Sequence, residues 1–232
     1  MRKQSLAIIP ARGGSKRIPR KNIKIFIDRP IISYSIGAAI KSNCFDEVMV
    51  STEDGEIAKI ALDYGAKIPF IRSVDTADDT TMLMDVIIEV ISAYEKLGFF
   101  FTHVCCILPT APFIAADLLI KGYSLLQVTG ASSVIPVTKF SNPIQRALKI
   151  CDGKLAMFWP ENYSKRSQDL EPAYHDAGMF YWLDIAALKK ERKIFMQQSV
   201  PLELPESMVQ DIDVEEDWKI AELKYKVMHG AS

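Results

Sequence analysis

The chain has 232 residues, 49% of them apolar, which supports one substantial core and excludes a disordered polypeptide. Its 28 Lys and Arg are balanced by 29 Asp and Glu, so no overall basic field points to nucleic acid or an anionic membrane. The four cysteines, Cys44, Cys105, Cys106 and Cys151, form no CxxC pair and read as reduced, buried residues of a cytoplasmic protein.

In chain order, Leu6-Ala7-Ile8-Ile9 is a continuous apolar run ended by Pro10, which predicts a strand buried on both faces. The run falls short of the roughly 7–15 apolar residues of a signal peptide. No later stretch approaches the roughly 18 residues of a membrane span. A loop follows, then a predicted helix from Pro30, at a first helical position, to Ser42. Residues 47–51 read as a strand. Asp54 reads as the N-cap of a helix that ends at Gly65. The rhythm continues with a strand at 68–71, a helix over 81–96, a strand at 103–108, a helix over 115–128 and a strand at 132–137. This alternation predicts an α/β fold, a mostly parallel sheet covered by helices.

Beyond Pro136 the rhythm breaks. Asp152-Gly153 between two short runs, 144–150 and 154–158, is a hairpin signal, so an arm over about 138–175 is expected to leave the sheet of a single domain. A strand over 178–183 returns to the sheet. A helix from Asp184, an extended segment around 201–209 and a last helix from about Val214 complete the chain.

The stretch IIPARGGSKRIPRKN holds Gly13, Gly14 and five cations, Arg12, Lys16, Arg17, Arg20 and Lys21, directly after the first strand. Ligands of open parallel sheets bind beyond the carboxyl ends of the strands. Glycines that bring backbone N–H groups close, combined with cations, suit a polyphosphate. Neither GxxxxGK[ST] nor GxGxxG is present. Four cations within residues 16–21 repel one another unless a counter-anion is bound, which favours a ligand over a solvated turn.

These residues, AIIPARGGSKRIPRKN, resemble the signature loop of the CMP-sialic acid synthetase family, the cytidylyltransferases that activate nine-carbon keto-sugar acids. The resemblance continues through Arg72 with Asp78-Asp79-Thr80-Thr81, through Leu108-Pro-Thr-Ala-Pro112, Arg166-Ser-Gln-Asp-Leu170 and Gln210-Asp-Ile-Asp213. It implies a three-layer α/β/α, Rossmann-like nucleotidyltransferase sheet whose inserted arm makes a homodimer. The implied reaction is attack of the sugar's anomeric hydroxyl on the α-phosphorus of CTP, releasing pyrophosphate. Such chemistry relies on positioning and electrostatic stabilisation.

By the same resemblance, Arg12 and Lys21 neutralise the leaving pyrophosphate and, with Asp213, form the catalytic set. Ser15 and Lys16 contact phosphates, Asn22 the ribose, and the backbone near Ala11 and Gly14 lines the nucleotide. Arg72 with Thr80 and Thr81 reads cytosine, while Asp78 or Asp79 can equally cap the next helix. Asp211 and Asp213, two apart on an extended segment, project to one side and can hold Mg²⁺. Asp213 also stands where it could cap the last helix.

The sugar side departs from the sialic acid enzymes. Leu108 stands where Gln is common, and AYHDAGMFYW replaces their NGAIY segment. AYHDAGxFYW, RIPRKN and TAPF resemble the pseudaminic acid cytidylyltransferases, in which Met179 would be Gln. Leu108, Thr110, Arg166, His175, Asp176 and Tyr181 are the sugar-binding candidates. His175 with Asp176 could serve as a base or as a structural hydrogen bond, and Arg166 could reach the partner's sugar or form an interface ion pair. The expected partners are CTP, a keto-sugar acid and a second copy, and the product would serve surface glycan or flagellin glycosylation. Alternatives are CMP-neuraminic, CMP-legionaminic or octulosonate activation, and a nucleotide-binding protein without turnover.

Overall fold

The computed structural model describes residues 4–73, 76 and 81–230. In chain order the elements are β1 (Ser5–Pro10), β2 (Ile25–Phe26), β3 (Arg29–Pro30), α1 (Ile32–Ser42), β4 (Glu47–Ser51), α2 (Gly55–Asp63), α3 (Leu83–Lys96) and β5 (His103–Ile107). They continue with α4 (Ala116–Thr129), β6 (Ser133–Lys139), β7 (Leu148–Cys151), β8 (Lys154–Met157), β9 (Tyr174–Asp176) and β10 (Phe180–Asp184). The last are α5 (Ile185–Glu191), β11 (Ser199–Glu203) and α6 (Glu215–His229).

The main sheet has the order β11-β6-β10-β5-β1-β4, with β9 on β6. β1 pairs parallel with β4 and β5, whereas β10 pairs antiparallel with β5 and β6. β10 and β9 therefore run against the other strands, and the sheet is mixed around a parallel half. β1 lies inside that half, which is why Leu6, Ala7, Ile8 and Ile9 are all fully buried. Its side chains alternate. Ala7 and Ile9 belong to one apolar cluster with Ile36 of α1, Leu119 of α4 and Trp218 of α6, while Leu6 and Ile8 belong to another with Val90 and Ile91 of α3 and Leu188 of α5. Two apolar layers on one sheet make the three-layer α/β/α arrangement.

Local chemistry explains several boundaries. Asp54 accepts hydrogen bonds from the Glu56 and Ile57 amides and so starts α2. Asp184 does the same for α5 through Ala187 N. Asp152 and Gly153 both take positive φ, 50° and 74°, the backbone a two-residue hairpin needs between β7 and β8.

Five expectations are corrected. The helix begins at Ile32, because Pro30 belongs to the β2–β3 pair opposite Ile25. Residues 68–71 form no strand; pairing stops at a single bridge between Met49 and Lys67, and Pro69 has no N–H to extend it. Residues 144–146 are a 3-10 turn and not part of the hairpin. Cys151 is exposed on that hairpin, and Cys44 is only partly buried. The excursion itself spans 140–173, since Thr138 pairs with His175 and Lys139 with Tyr174 inside the sheet. Among the described residues no helix is long and apolar enough to cross a membrane.

Candidate active site

The carboxyl ends of β1, β4 and β5 lie side by side, and the segments that follow them enclose a cleft of about 290 Å³. Arg12, Ser15, Lys21 and Asn22 line it from the loop after β1, and Leu108, Pro109 and Thr110 from the segment after β5. Arg72, Thr76 and Thr81 complete it beside Leu83 and Val86 of α3. Arg12, Ser15, Lys21, Asn22, Arg72 and Thr81, proposed for phosphate, ribose and base, thus meet in one place, although they are scattered along the chain. Thr80, Asp78 and Asp79 lie outside the described residues.

Each wall is held from behind. Ala11 is buried and donates its N–H to Ser51 O at 2.9 Å. Asn22 is buried and donates Nδ2 to Arg12 O at 2.9 Å, tying the two ends of the loop together. Arg72 is also buried, with Nε on Ser51 Oγ at 3.0 Å and Nη2 on Ser51 O at 2.9 Å. Burial draws the Arg72 guanidinium below its usual value while Glu53 and Glu89 oppose this. Leu108 is fastened through its backbone, its N–H donating to Met179 O and its carbonyl accepting from Ser35 Oγ.

A second cleft lies next to the first and is lined by Thr138, His175, Asp176, Gln210, Asp211, Asp213, Asp217 and Lys224. Lys21 joins the two: it lines the first cleft, donates Nζ to Ile212 O at 2.6 Å and stands 3.6 Å from Asp213 Oδ1. Ile212 is fully buried, which turns Asp211 and Asp213 away from the core. The Asp211 carboxyl is pushed up from its usual value, first by burial and then by the charge of Asp213. Two carboxylates that repel each other suit a divalent cation with hard oxygen ligands. Among the described residues no group of three or more His, Cys, Asp or Glu side chains is placed to hold a metal.

Several roles come out differently from the sequence. Asp213 does not cap α6; Asp217 reaches back and accepts from the Asp213 and Val214 amides, both at 2.9 Å. The loop cations do not all lack counter-anions: Arg20 pairs with Asp54 and Glu56, and Arg17 with Asp213. Gly13 N–H is taken by Glu53 Oε1 at 2.6 Å. Gly14 and Lys16 are exposed and outside the lining of the first cleft.

The sugar candidates separate. Leu108 and Thr110 line the first cleft, His175 and Asp176 the second. His175 and Asp176 are no side-chain dyad: His175 Nδ1 meets the Asp176 carbonyl oxygen, and the Asp176 carboxylate accepts from Tyr181 OH at 2.6 Å and Gly178 N at 2.8 Å. Tyr181 is buried beneath them, and burial with the Asp176 charge drives its hydroxyl upward. Arg166 lies on the arm, exposed and paired with Asp169, outside both clefts. Glu53, Thr76 and Lys224 carry no local sequence signal that separates them from solvated polar residues.

A cytidylyltransferase family model matches residues 6–149, more than half of the chain. The chain belongs to the cytidylyltransferase family. A relative in Campylobacter jejuni, "Pseudaminic acid cytidylyltransferase", is 43% identical over 230 residues, covering 99% of this chain and 99% of the relative. A "CMP-N,N'-diacetyllegionaminic acid synthase" of Legionella pneumophila is 33% identical, covering 94% of each chain. The solved structure of a CMP:2-keto-3-deoxy-manno-octonic acid synthetase complexed with CTP superposes with a TM-score of 0.70 over 98% of this chain and 99% of that one. At 14% identity it speaks for the cytidylyltransferase fold alone.

Proposed function

We propose that the protein transfers CMP from CTP to the anomeric hydroxyl of pseudaminic acid, giving CMP-pseudaminic acid and pyrophosphate. The observation that carries this reading is the Lys21 bridge, which sets a cation-lined cleft against the Asp211–Asp213 segment. The full-length relative in Campylobacter jejuni supports the sugar.

In this reading CTP lies in the first cleft, its base toward Arg72 and its phosphates toward Arg12, Ser15 and Lys21. Their cations offset charge that builds on the leaving pyrophosphate. Asp211 and Asp213 would hold Mg²⁺, which when bound supplies Lewis-acid neutralisation of phosphate oxygens. The sugar acid enters from the second cleft, where His175, Gln210 and Lys224 offer polar contacts, and its hydroxyl meets the α-phosphorus between the clefts. Leu108, lining the first cleft, presents an apolar wall that suits deoxy carbons. Asp176, tied to Tyr181 and Gly178, shapes the second cleft and does not act as a base.

The homodimer belongs to the same proposal. Ile150, Leu155 and Tyr163 on the arm are 76%, 70% and 77% exposed, an apolar load that a second copy would cover. Arg166 is carried on the same arm, toward a neighbouring site.

The test is pyrophosphate release from CTP with pseudaminic, legionaminic and neuraminic acids, with and without Mg²⁺. Release with pseudaminic acid above the others is expected. Preference for legionaminic acid would transfer the assignment to that sugar, and no release with any acid would remove it.

A further inference from the structure

The loop that carries Arg12, Ser15 and Lys21 has no regular structure between β1 and the 3-10 turn at Lys21–Ile23, so something else must hold its shape. Asp54 touches it at two places. Its Oδ2 accepts from Arg20 Nη1 at 2.5 Å and its Oδ1 from Arg20 Nη2 at 3.0 Å, while Oδ1 also caps α2 through Glu56 N and Ile57 N. Gly13 packs directly on the same carboxylate: a Cβ there would fall within 3.0 Å of Oδ2, closer than real Cβ atoms come.

Arg20 has a φ of 55°, the left-handed region that side chains with a Cβ disfavour. The forked pair with Asp54, and a further bond from Nη2 to Glu56 Oε2 at 2.5 Å, fasten that turn to the start of α2. Neither Asp54 nor Arg20 lines the nucleotide cleft. Ser15 lies between the two fastened points, and Arg12 and Lys21 adjoin them.

We propose that Asp54 is a positioning residue for the reaction, gripping the loop at Gly13 and Arg20 so that Arg12, Ser15 and Lys21 are presented to the triphosphate. Arg20 then serves the shape of the loop and not the substrate. The inference rests on the first cleft being the CTP site.

A plain helix cap with a surface ion pair predicts something different from a clamp. Asp54→Asn keeps a capping oxygen but loses the forked charge pair. In the full chain it is expected to weaken CTP binding about tenfold by calorimetry, with the KM for the sugar acid within about twofold of wild type. Arg20→Lys, which leaves the cap untouched, keeps the charge without the fork and is expected to show a smaller loss in the same direction. Gly13→Ala is expected to weaken CTP binding strongly, and less so in an Asp54→Ser background, where the shorter side chain leaves room.

Wild-type CTP affinity in both Asp54→Asn and Arg20→Lys would overturn the clamp, as would strictly additive effects of Gly13→Ala and Asp54→Ser. Failure of the wild-type chain to bind CTP at all would instead overturn the cleft assignment, and the clamp with it. If Asp54→Asn fails to fold, Arg20→Lys decides alone.

Discussion

The Arg17 guanidinium lies 2.8 Å from the Asp213 carboxylate, so a cation of the N-terminal loop neutralises a residue 196 positions further along the chain. Both side chains are well exposed, 63% and 43%, and an exposed pair contributes at most about 1 kcal/mol. Its interest is functional, because Asp213 is also the proposed Mg²⁺ carboxylate. Arg17→Ala is expected to leave the melting temperature within about 4 °C and to lower the Mg²⁺ concentration for half-maximal turnover several-fold, measured by magnesium titration. Asp213→Asn is expected to lower kcat about 100-fold or more with the fold retained by circular dichroism. Full activity in that variant would remove Asp213 from the mechanism.

Asp54 gives the protein a defined acid response. The hydrogen bonds from Arg20, more than any other contact, hold its carboxyl down to about 2, against the upward pull of burial. A depressed carboxylate contributes stability that is complete above the unfolded value of about 3.9 and is lost as the pH falls toward its folded value. The stability gap between wild type and Asp54→Asn should therefore be flat above about pH 5 and shrink between about pH 4 and pH 2. Denaturant titrations across that range check it. A gap that grows toward low pH would contradict the assignment.

Gly122 on α4 faces Trp182 of β10. A Cβ added there would meet Trp182 Cδ1 at 2.8 Å and Phe180 Cε2 at 3.1 Å. Trp182 cannot step aside easily, being fully buried, stacked on Phe45 and Tyr123, and hydrogen-bonded to Leu119 O. Gly122→Ala should cost about 1–3 kcal/mol through overpacking, outweighing the better helix propensity of alanine. A thermal melt should move down accordingly, and an unchanged or higher melting temperature would show that the helix can shift.

The arm offers a test of assembly. Charges placed on the exposed apolar positions, as in Ile150→Asp with Leu155→Asp, should convert a dimer to monomers in sedimentation equilibrium. These side chains have few neighbours within one chain, so the melting temperature of the monomer should change little. A wild-type chain that sediments as a monomer would set the dimer aside.

What the sequence by itself determined is what depends on near neighbours. Apolar spacing located β1, β4, α2 and α3 to within a few residues, Asp54 announced the start of α2, and Asp152-Gly153 announced the hairpin. The order of residues in IIPARGGSKRIPRKN was enough to place the chain in its family. Tertiary structure decided the rest. The direction of β10 depends on how the chain returns from the arm, and the failed strand at 68–71 on the absence of an N–H at Pro69. Charge patterning counted Arg17 and Arg20 as ligand cations, whereas the fold gives them Asp213 and Asp54 as partners, 196 and 34 residues away. It also divided Leu108 from His175 and Asp176, placing them in adjoining clefts. Propensity and capping act over a few residues and leave their mark in the local sequence, whereas an ion pair between distant segments exists only once the path of the chain has closed the distance.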